Sequence, residues 1–114
     1  MMDDRLPSKL WIDAHVRTCH AQGYPAFVVA KGDEARGGIL LKVNRFAGGV
    51  HLFEQSRDFD GNRIWRRLGS EAGEAEADAD ARVRKKRQFD SDLWVIEIED
   101  MHGSYSCDAP VSAL

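Results

Sequence analysis

Ile39-Leu40-Leu41-Lys42-Val43-Asn44-Arg45-Phe46, then Gly48-Gly49, then Val50-His51-Leu52-Phe53-Glu54-Gln55 reads as two strands joined by a tight glycine turn. Aliphatic, β-branched and aromatic side chains fill both runs, and paired glycines supply the positive φ that a hairpin turn demands. Working outward, Ala26-Phe27-Val28-Val29-Ala30-Lys31 reads as a preceding strand, separated by the turn Gly32-Asp33-Glu34-Ala35-Arg36-Gly37-Gly38. Beyond the loop Asp58-Phe59-Asp60-Gly61-Asn62, Arg63-Ile64-Trp65-Arg66-Arg67-Leu68 reads as a fourth strand. Four short β-rich runs separated by turn chemistry predict an antiparallel meander.

On the N-terminal side, residues 8–22 predict a helix, with Ser8 as N-cap and Gly23 just past its end. Its spacing predicts a buried stripe of Leu10/Trp11, Ala14/His15 and Thr18/Cys19, with Asp13, Arg17 and His20 facing water. After Gly69-Ser70, five acids (Glu71, Glu74, Glu76, Asp78, Asp80) precede five bases (Arg82, Arg84, Lys85, Lys86, Arg87). That order complements a helix dipole and predicts a second helix with Asp78/Arg82 and Asp80/Arg84 pairs and a thin core stripe of Ala72, Ala75, Ala79 and Val83. Leu93-Trp94-Val95-Ile96-Glu97-Ile98-Glu99 reads as a strand, and Ser104-Tyr105-Ser106-Cys107 as a short last one before Pro110 ends regular structure. The expected fold is α+β: a mostly antiparallel sheet, elements in the order α-β-β-β-β-α-β-β, and two helices packed on one face. One domain over residues 1–114 is expected, with an ordered core at about 8–108.

Composition narrows the function classes. Sixteen Lys and Arg against nineteen Asp and Glu give a net charge of -3 and a pI near 5.8, which argues against a strongly basic nucleic-acid or membrane-surface binder. No stretch approaches the ~18 apolar residues of a membrane span, and Met1-Met2-Asp3-Asp4-Arg5-Leu6-Pro7 lacks an export signal. Two cysteines in such a chain read as reduced thiols, and the expected location is cytoplasmic. No serine nucleophile elbow, Walker loop or Gly-x-Gly-x-x-Gly stretch occurs, and no cofactor is expected.

Three constellations stand as candidates. His15 and Cys19 sit four apart on one helical face and both can bind zinc, but a structural site needs four ligands, so Cys107, His51 or His102 would have to converge on them; packing against the sheet is the simpler reading. Asp90, Asp92, Glu97, Glu99 and His102 form an acidic cluster that could support metal-assisted hydrolase or nuclease chemistry. The alternative is an ion pair at the rim of the core, Glu97 with Arg45 or Arg66, because each strand ends its apolar row in a charge. Arg63-Ile64-Trp65-Arg66-Arg67 and the basic run Arg82 to Arg87 could stack bases and neutralise phosphates, against which stand the acidic half of the same helix and the negative total.

Arg87-Gln88-Phe89-Asp90-Ser91-Asp92-Leu93-Trp94-Val95-Ile96-Glu97-Ile98-Glu99-Asp100 resembles the closing signature of a family of small bacterial proteins known as domain of unknown function 1491. Leu10-Trp11-Ile12-Asp13-Ala14 with Arg17 and Cys19, Lys31-Gly32, and Lys42-Val43-Asn44-Arg45 match as well, so the similarity runs from about residue 5 to residue 108. The resemblance implies no reaction, ligand or partner, and no catalytic residue is carried over. Composition and the lack of a complete catalytic motif give the expectation of a non-enzymatic module that binds another protein or itself, in the latter case as a homodimer, through the polar side or edge strand of its sheet. Trp65, Arg66, Arg67 and Trp94 are its candidate contact residues, with a place in the core as the preferred reading of Trp94.

Overall fold

The computed structural model describes residues 6–112; residues 1–5 and 113–114, which include most of the stretch read above for an export signal, lie outside the described residues. Helix α1 spans Ser8–Ala21, followed by β1 (Ala26–Ala30), β2 (Ile39–Asn44), a 3-10 turn at Phe46–Gly48, β3 (Val50–Arg57) and β4 (Arg63–Leu68). Helix α2 (Glu76–Phe89), β5 (Trp94–Glu99) and the two-residue β6 (Val111–Ser112) complete the chain. Along the chain the elements follow the predicted order. In space they do not form a meander: the sheet runs β1-β5-β2-β3-β4-β6, so β5 inserts between β1 and β2.

That insertion makes the sheet mixed. β1 with β5, β2 with β3 and β3 with β4 pair antiparallel, whereas β2 with β5 and β4 with β6 pair parallel. The expectation of a mostly antiparallel sheet is corrected accordingly, as is the last strand. Residues 104–107 form no strand; the chain continues past Pro110, whose carbonyl accepts from the Trp65 N–H at 2.8 Å, and pairs at 111–112.

The helices lie on opposite faces of the sheet, not on one. Ile12 and Cys19 of α1 pack with Ile39, Leu41, Val43, Trp65, Trp94 and Ile96. Ala79 of α2 packs with Leu40, Leu52, Leu93 and Val95 on the other side. Neighbouring residues of a strand point to opposite faces, so β2, buried at every position, must be covered twice. The near-continuous apolar runs of β2 and β5 are what a strand buried on both faces requires.

Local sequence accounts for the helix ends. Gly23, at φ +89°, follows α1 as expected of a residue past a helix C-terminus, and the Tyr24 N–H donates back to the Cys19 carbonyl at 2.9 Å. Ser8 is inside the helix, not its cap, and its hydroxyl donates to the Gly37 carbonyl. The buried face of α1 is Ser8, Ile12 and Cys19 with Trp11, His15 and Val16 alongside, while Leu10 and Thr18 are exposed. α2 begins only at Glu76, so Ala72 and Ala75 precede it and its buried contribution reduces to Ala79 and the partly buried Val83. Its predicted i,i+4 pairs are replaced by longer-range ones: Asp80 bonds Lys42 and Arg82 bonds Glu74.

Candidate functional site

β1 is an outer strand, and among the described residues no strand covers its free side. Phe27, Val28 and Val29 are 45%, 38% and 51% exposed, a consecutive apolar row. The Glu99 N–H donates to the Pro25 carbonyl at 2.9 Å. Because antiparallel ladders alternate, the backbone groups of Phe27 then face β5, and those of Ala26 and Val28 face outward. Ala26's outward carbonyl accepts from His20 Nε2 at 2.9 Å, which fixes the proton on that nitrogen. Val28 presents its N–H and C=O at the open edge, and the ladder skips Val29, a bulge that ends the pairable stretch.

At the opposite edge the two-residue β6 lies outermost and covers the middle of β4. β6 pairs with Trp65 and Arg66, and Asp108 accepts two bonds from Arg63 (2.8 and 2.9 Å) and one from Trp65 Nε1 (2.8 Å). Desolvation works to raise the Asp108 carboxyl, but the hydrogen bonds from Arg63 and Trp65 outweigh it and hold it below the ordinary carboxylate value.

The residues predicted to meet a partner divide on inspection. Trp65 and Trp94 are buried, 0% and 3% exposed, so neither is a contact residue; each places its indole N–H on an internal acceptor, Asp108 and the Asp33 carbonyl. Large aromatic bodies with one polar atom are well suited to such anchoring. Arg66 is exposed but pairs with Glu54 at 2.8 Å, and Arg67 lies over the Phe53 ring at 4.8 Å with Nη1 donating to His51 Nδ1 at 3.0 Å. Of the basic run on α2, Arg82 binds Glu74, Lys86 binds Glu54, and Arg87 donates to the carbonyls of Lys31, Ser91 and Leu93.

The acidic cluster does not assemble. Asp90 and Asp92 precede β5, whereas Glu99 and His102 lie at or beyond its far end, and six strand residues separate the two groups by roughly 20 Å. Asp90 instead accepts from the Asp92 N–H within its own turn. Glu97 pairs with neither Arg45 nor Arg66. Its partner is Lys42 at 3.2 Å, the residue beside it in the β2–β5 register. The physical reason is facial: Arg45 follows Ile39, Leu41 and Val43 on the α1 side, Glu97 follows Leu93 and Val95 on the α2 side, and Arg66 stands three strands away.

Lys42 also binds Glu76 and Asp80, each at 2.8 Å. Burial opposes its charge, but hydrogen bonds to Asp80, Glu76 and Glu97 prevail and hold its ammonium above the ordinary lysine value. This knot bolts the start of α2 to the centre of the sheet. A second knot ends β5: buried Asp100 accepts from Arg45 Nε (2.9 Å) and from the N–H groups of Ser104 (2.9 Å) and Tyr105 (3.0 Å).

His15, Cys19 and Cys107 do line one cleft, beside Tyr105 and Tyr24. His15 is stacked on Trp11 (4.5 Å) with Nε2 at 2.7 Å from the Tyr105 hydroxyl. His51 and His102 do not join them. His51 bonds the Gly48 carbonyl and Arg67, and His102 is exposed in a turn. Among the described residues no group of three or more His, Cys, Asp or Glu could hold a metal ion. Burial lowers the His15 imidazole and raises both thiols, Cys107 to about 12, so these cysteines are held protonated, the reverse of a reactive site.

Sequence reading missed the weight of Phe27, Val28 and Val29, of Lys42, and of Asp100 and Asp108. Lys42 and Asp100 each interrupt or end an apolar run, a detectable signal for a buried ion pair. Nothing local in a strand's sequence reports that it will be outermost.

A six-stranded mixed sheet with a helix on each face, β1 outermost at one edge and the short β6 at the other, defines a small α+β domain. The chain belongs to the DUF1491 family, a protein of unknown function, whose model matches residues 6–108. It is similar to a DUF1491 family protein from Caulobacter crescentus CB15 in its crystal structure, at 34% identity over 95% of this chain and 100% of that one, with a TM-score of 0.85. The NMR structure of a DUF1491 family protein from the same organism matches at 34% identity over 95% and 97%, with a TM-score of 0.80. Protein Atu0922 from A. tumefaciens, in solution, is 30% identical over 84% of this chain and 86% of that chain, with a TM-score of 0.73. Among curated proteins nothing matches. No helix among the described residues is long and apolar enough to cross a membrane.

Proposed function

We propose that this chain is a non-enzymatic, self-associating module whose contact surface is the open edge of β1. The observation that carries the reading is the exposed row Phe27, Val28 and Val29 on an unpaired strand. Soluble proteins usually blunt such an edge with charge, proline or a covering segment, because a free ladder recruits another strand. A two-fold contact uses the same β1 edge of both copies, so edge pairing between two copies closes at a dimer instead of growing into a fibre.

Val28 is the natural centre of the two-fold. Its outward N–H and C=O would exchange two bonds with the same groups of a second Val28, and Ala26's carbonyl, already held by His20, is not needed. Phe27 would then lie opposite the second chain's Val29. The internal ionisable groups support a binding role over catalysis, since Lys42, Asp100, Asp108 and His15 are all committed to structural partners.

Sedimentation velocity on the full chain over a wide concentration range tests this. A monomer–dimer equilibrium is expected, abolished in Val29→Lys, whose charge at a half-exposed bulge leaves the fold intact by circular dichroism. A wild-type chain that stays monomeric at the highest concentrations, or a Val29→Lys variant that dimerises as well as wild type, would refute it.

A further inference from the structure

On the α1 side, where the N-terminal ends of α1 and β4 meet the far end of β3, lies an open cleft of about 840 Å³. Its cationic wall is Arg36, Arg57 and Arg63, its apolar wall Leu6, Trp11 and Ile39, and no acidic side chain among the described residues lines it. Arg63 is neutralised by Asp108 and lies 5.6 Å from the Trp11 ring centroid, so it acts as a fixed part of the wall. The other two are different. Arg57 donates only to the Gly61 carbonyl, at 2.8 Å, and among the described residues neither Arg57 nor Arg36 has a carboxylate partner.

These charges sit on a rigid frame. Arg36 belongs to a turn in which Asp33 accepts from the N–H groups of Arg36 (2.8 Å) and Gly37 (3.1 Å). That turn is joined to the chain before β5 by the Asp33 N–H on the Asp92 carbonyl, to the core by Trp94 Nε1, and to α1 by the Ser8 hydroxyl. The helix N-terminus contributes no free donors at Ser8 and Lys9, whose N–H groups bond the carbonyls of Ala35 and Glu34. Recognition at this place therefore falls to side chains.

We propose that this cleft binds a small phosphate monoester with an apolar or aromatic body. Two guanidinium groups with no carboxylate partner among the described residues match a phosphate that carries about -1.5 to -2 at neutral pH, and their planar forks suit its oxygens. A concave, positively charged wall with an apolar flank concentrates such anions and excludes cations. Trp11 and Leu6 form the surface against which the body rests, with buried Ile39 beneath it, and a cleft of this volume falls in the range that holds small ligands.

The test is an NMR titration of the full-length labelled protein with phenyl phosphate, inorganic phosphate and phenol. Phenyl phosphate is expected to shift the amides of residues 8, 36, 37, 55 and 57 and the Trp11 indole, with an affinity that falls as salt screens the charges. Inorganic phosphate should bind at least about tenfold more weakly and phenol not at all, because each lacks one half of the contact. Arg36→Gln with Arg57→Gln should weaken phenyl phosphate at least about tenfold, the loss expected for charge-assisted bonds. Arg17→Gln, an exposed change elsewhere on α1, should not. Retained peak dispersion in the double variant confirms that it is folded. No shifts with phenyl phosphate, equal affinity for bare phosphate, or undiminished binding by the folded double variant would each overturn the assignment.

Discussion

Replacing Asp100 with Asn probes the knot at the end of β5 with almost no change of shape. The Asp100 side chain is 0% exposed and accepts three bonds, from Arg45 Nε, Ser104 N–H and Tyr105 N–H. Asparagine keeps one acceptor but turns the other position into a donor that faces a donor, and it leaves Arg45 without its counter-charge. Removing one member of a buried pair typically costs about 3–5 kcal/mol. The Arg45 side chain is 23% exposed and also donates to the Tyr105 carbonyl, so water and that bond recover part of the loss, and about 2–4 kcal/mol is expected. At this chain length that corresponds to a fall in Tm of roughly 8–16 °C. The pH dependence supplies a second signature. Burial works to raise the Asp100 carboxyl, but bonds from Arg45, Tyr105 and Ser104 hold it below its ordinary 3.8. A depressed folded value stabilises the protein above the unfolded pKa, and that stability is lost as pH falls through the folded one. Urea titrations of wild type and Asp100→Asn should therefore differ most near neutrality and converge below about pH 4. A gap under about 1 kcal/mol at neutral pH, or one that stays constant into acid, would refute the ion-pair account.

Two further outcomes can be measured on the same material. A Cβ on Gly37 would lie 2.2 Å from the Asp92 carbonyl oxygen and 2.8 Å from that of Asp33, both backbone, so Gly37→Ala should lower stability by at least about 3 kcal/mol in urea unfolding, the upper end of overpacking costs. Gly23→Ala meets nothing within 4 Å and carries only the φ strain, costing about 1–2 kcal/mol; equal losses for the two would contradict the close-approach argument. With Cys107 pushed up to about 12 by burial, chiefly, and by Asp108, thiol labelling of the native protein at mildly alkaline pH should be at least about a hundredfold slower than in denaturant. Its native rate should climb until strongly alkaline pH. Fast labelling near neutrality would show a thiol far more accessible and acidic than this packing allows.

Element identities were readable because each rests on local chemistry. The Asp60-Gly61 loop sits where it was expected. The turn at Gly48-Gly49 is there too, but as a 3-10 turn at Phe46–Gly48 with only Gly49 of the pair at positive φ, and α2 keeps its acid-to-base order but starts at Glu76, after Glu71 and Glu74. Topology rests on something else, the number of faces a strand must bury. Ile39-Leu40-Leu41 and Leu93-Trp94-Val95-Ile96 do not alternate, which already demands cover on both sides and so helices on both faces. Treating every second residue of β2 and β5 as one shared face put Arg45 beside Glu97, when the parallel register sets Lys42 there. Trp65 is buried for the same reason, since a tryptophan on a strand covered on one side only can be a surface residue and one on a doubly packed sheet cannot; Trp94 takes the core place preferred for it.

The open edge is a consequence of that same demand. β5 buries both faces and also needs a strand on each side, so it takes the place beside β2 that a meander would give to β1, and β1 becomes outermost. The chain then seals its two edges unequally. At β4 it places a parallel strand and the Asp108 bonds to Arg63 and Trp65. At β1 it supplies one contact, His20 to Ala26, and a bulge at Val29. Between those two features Val28 offers one donor and one acceptor, flanked by Phe27 and Val29. In the dimer proposed above, a two-fold at Val28 would pair that donor and acceptor with the same groups of the second copy, and a two-fold contact does not propagate.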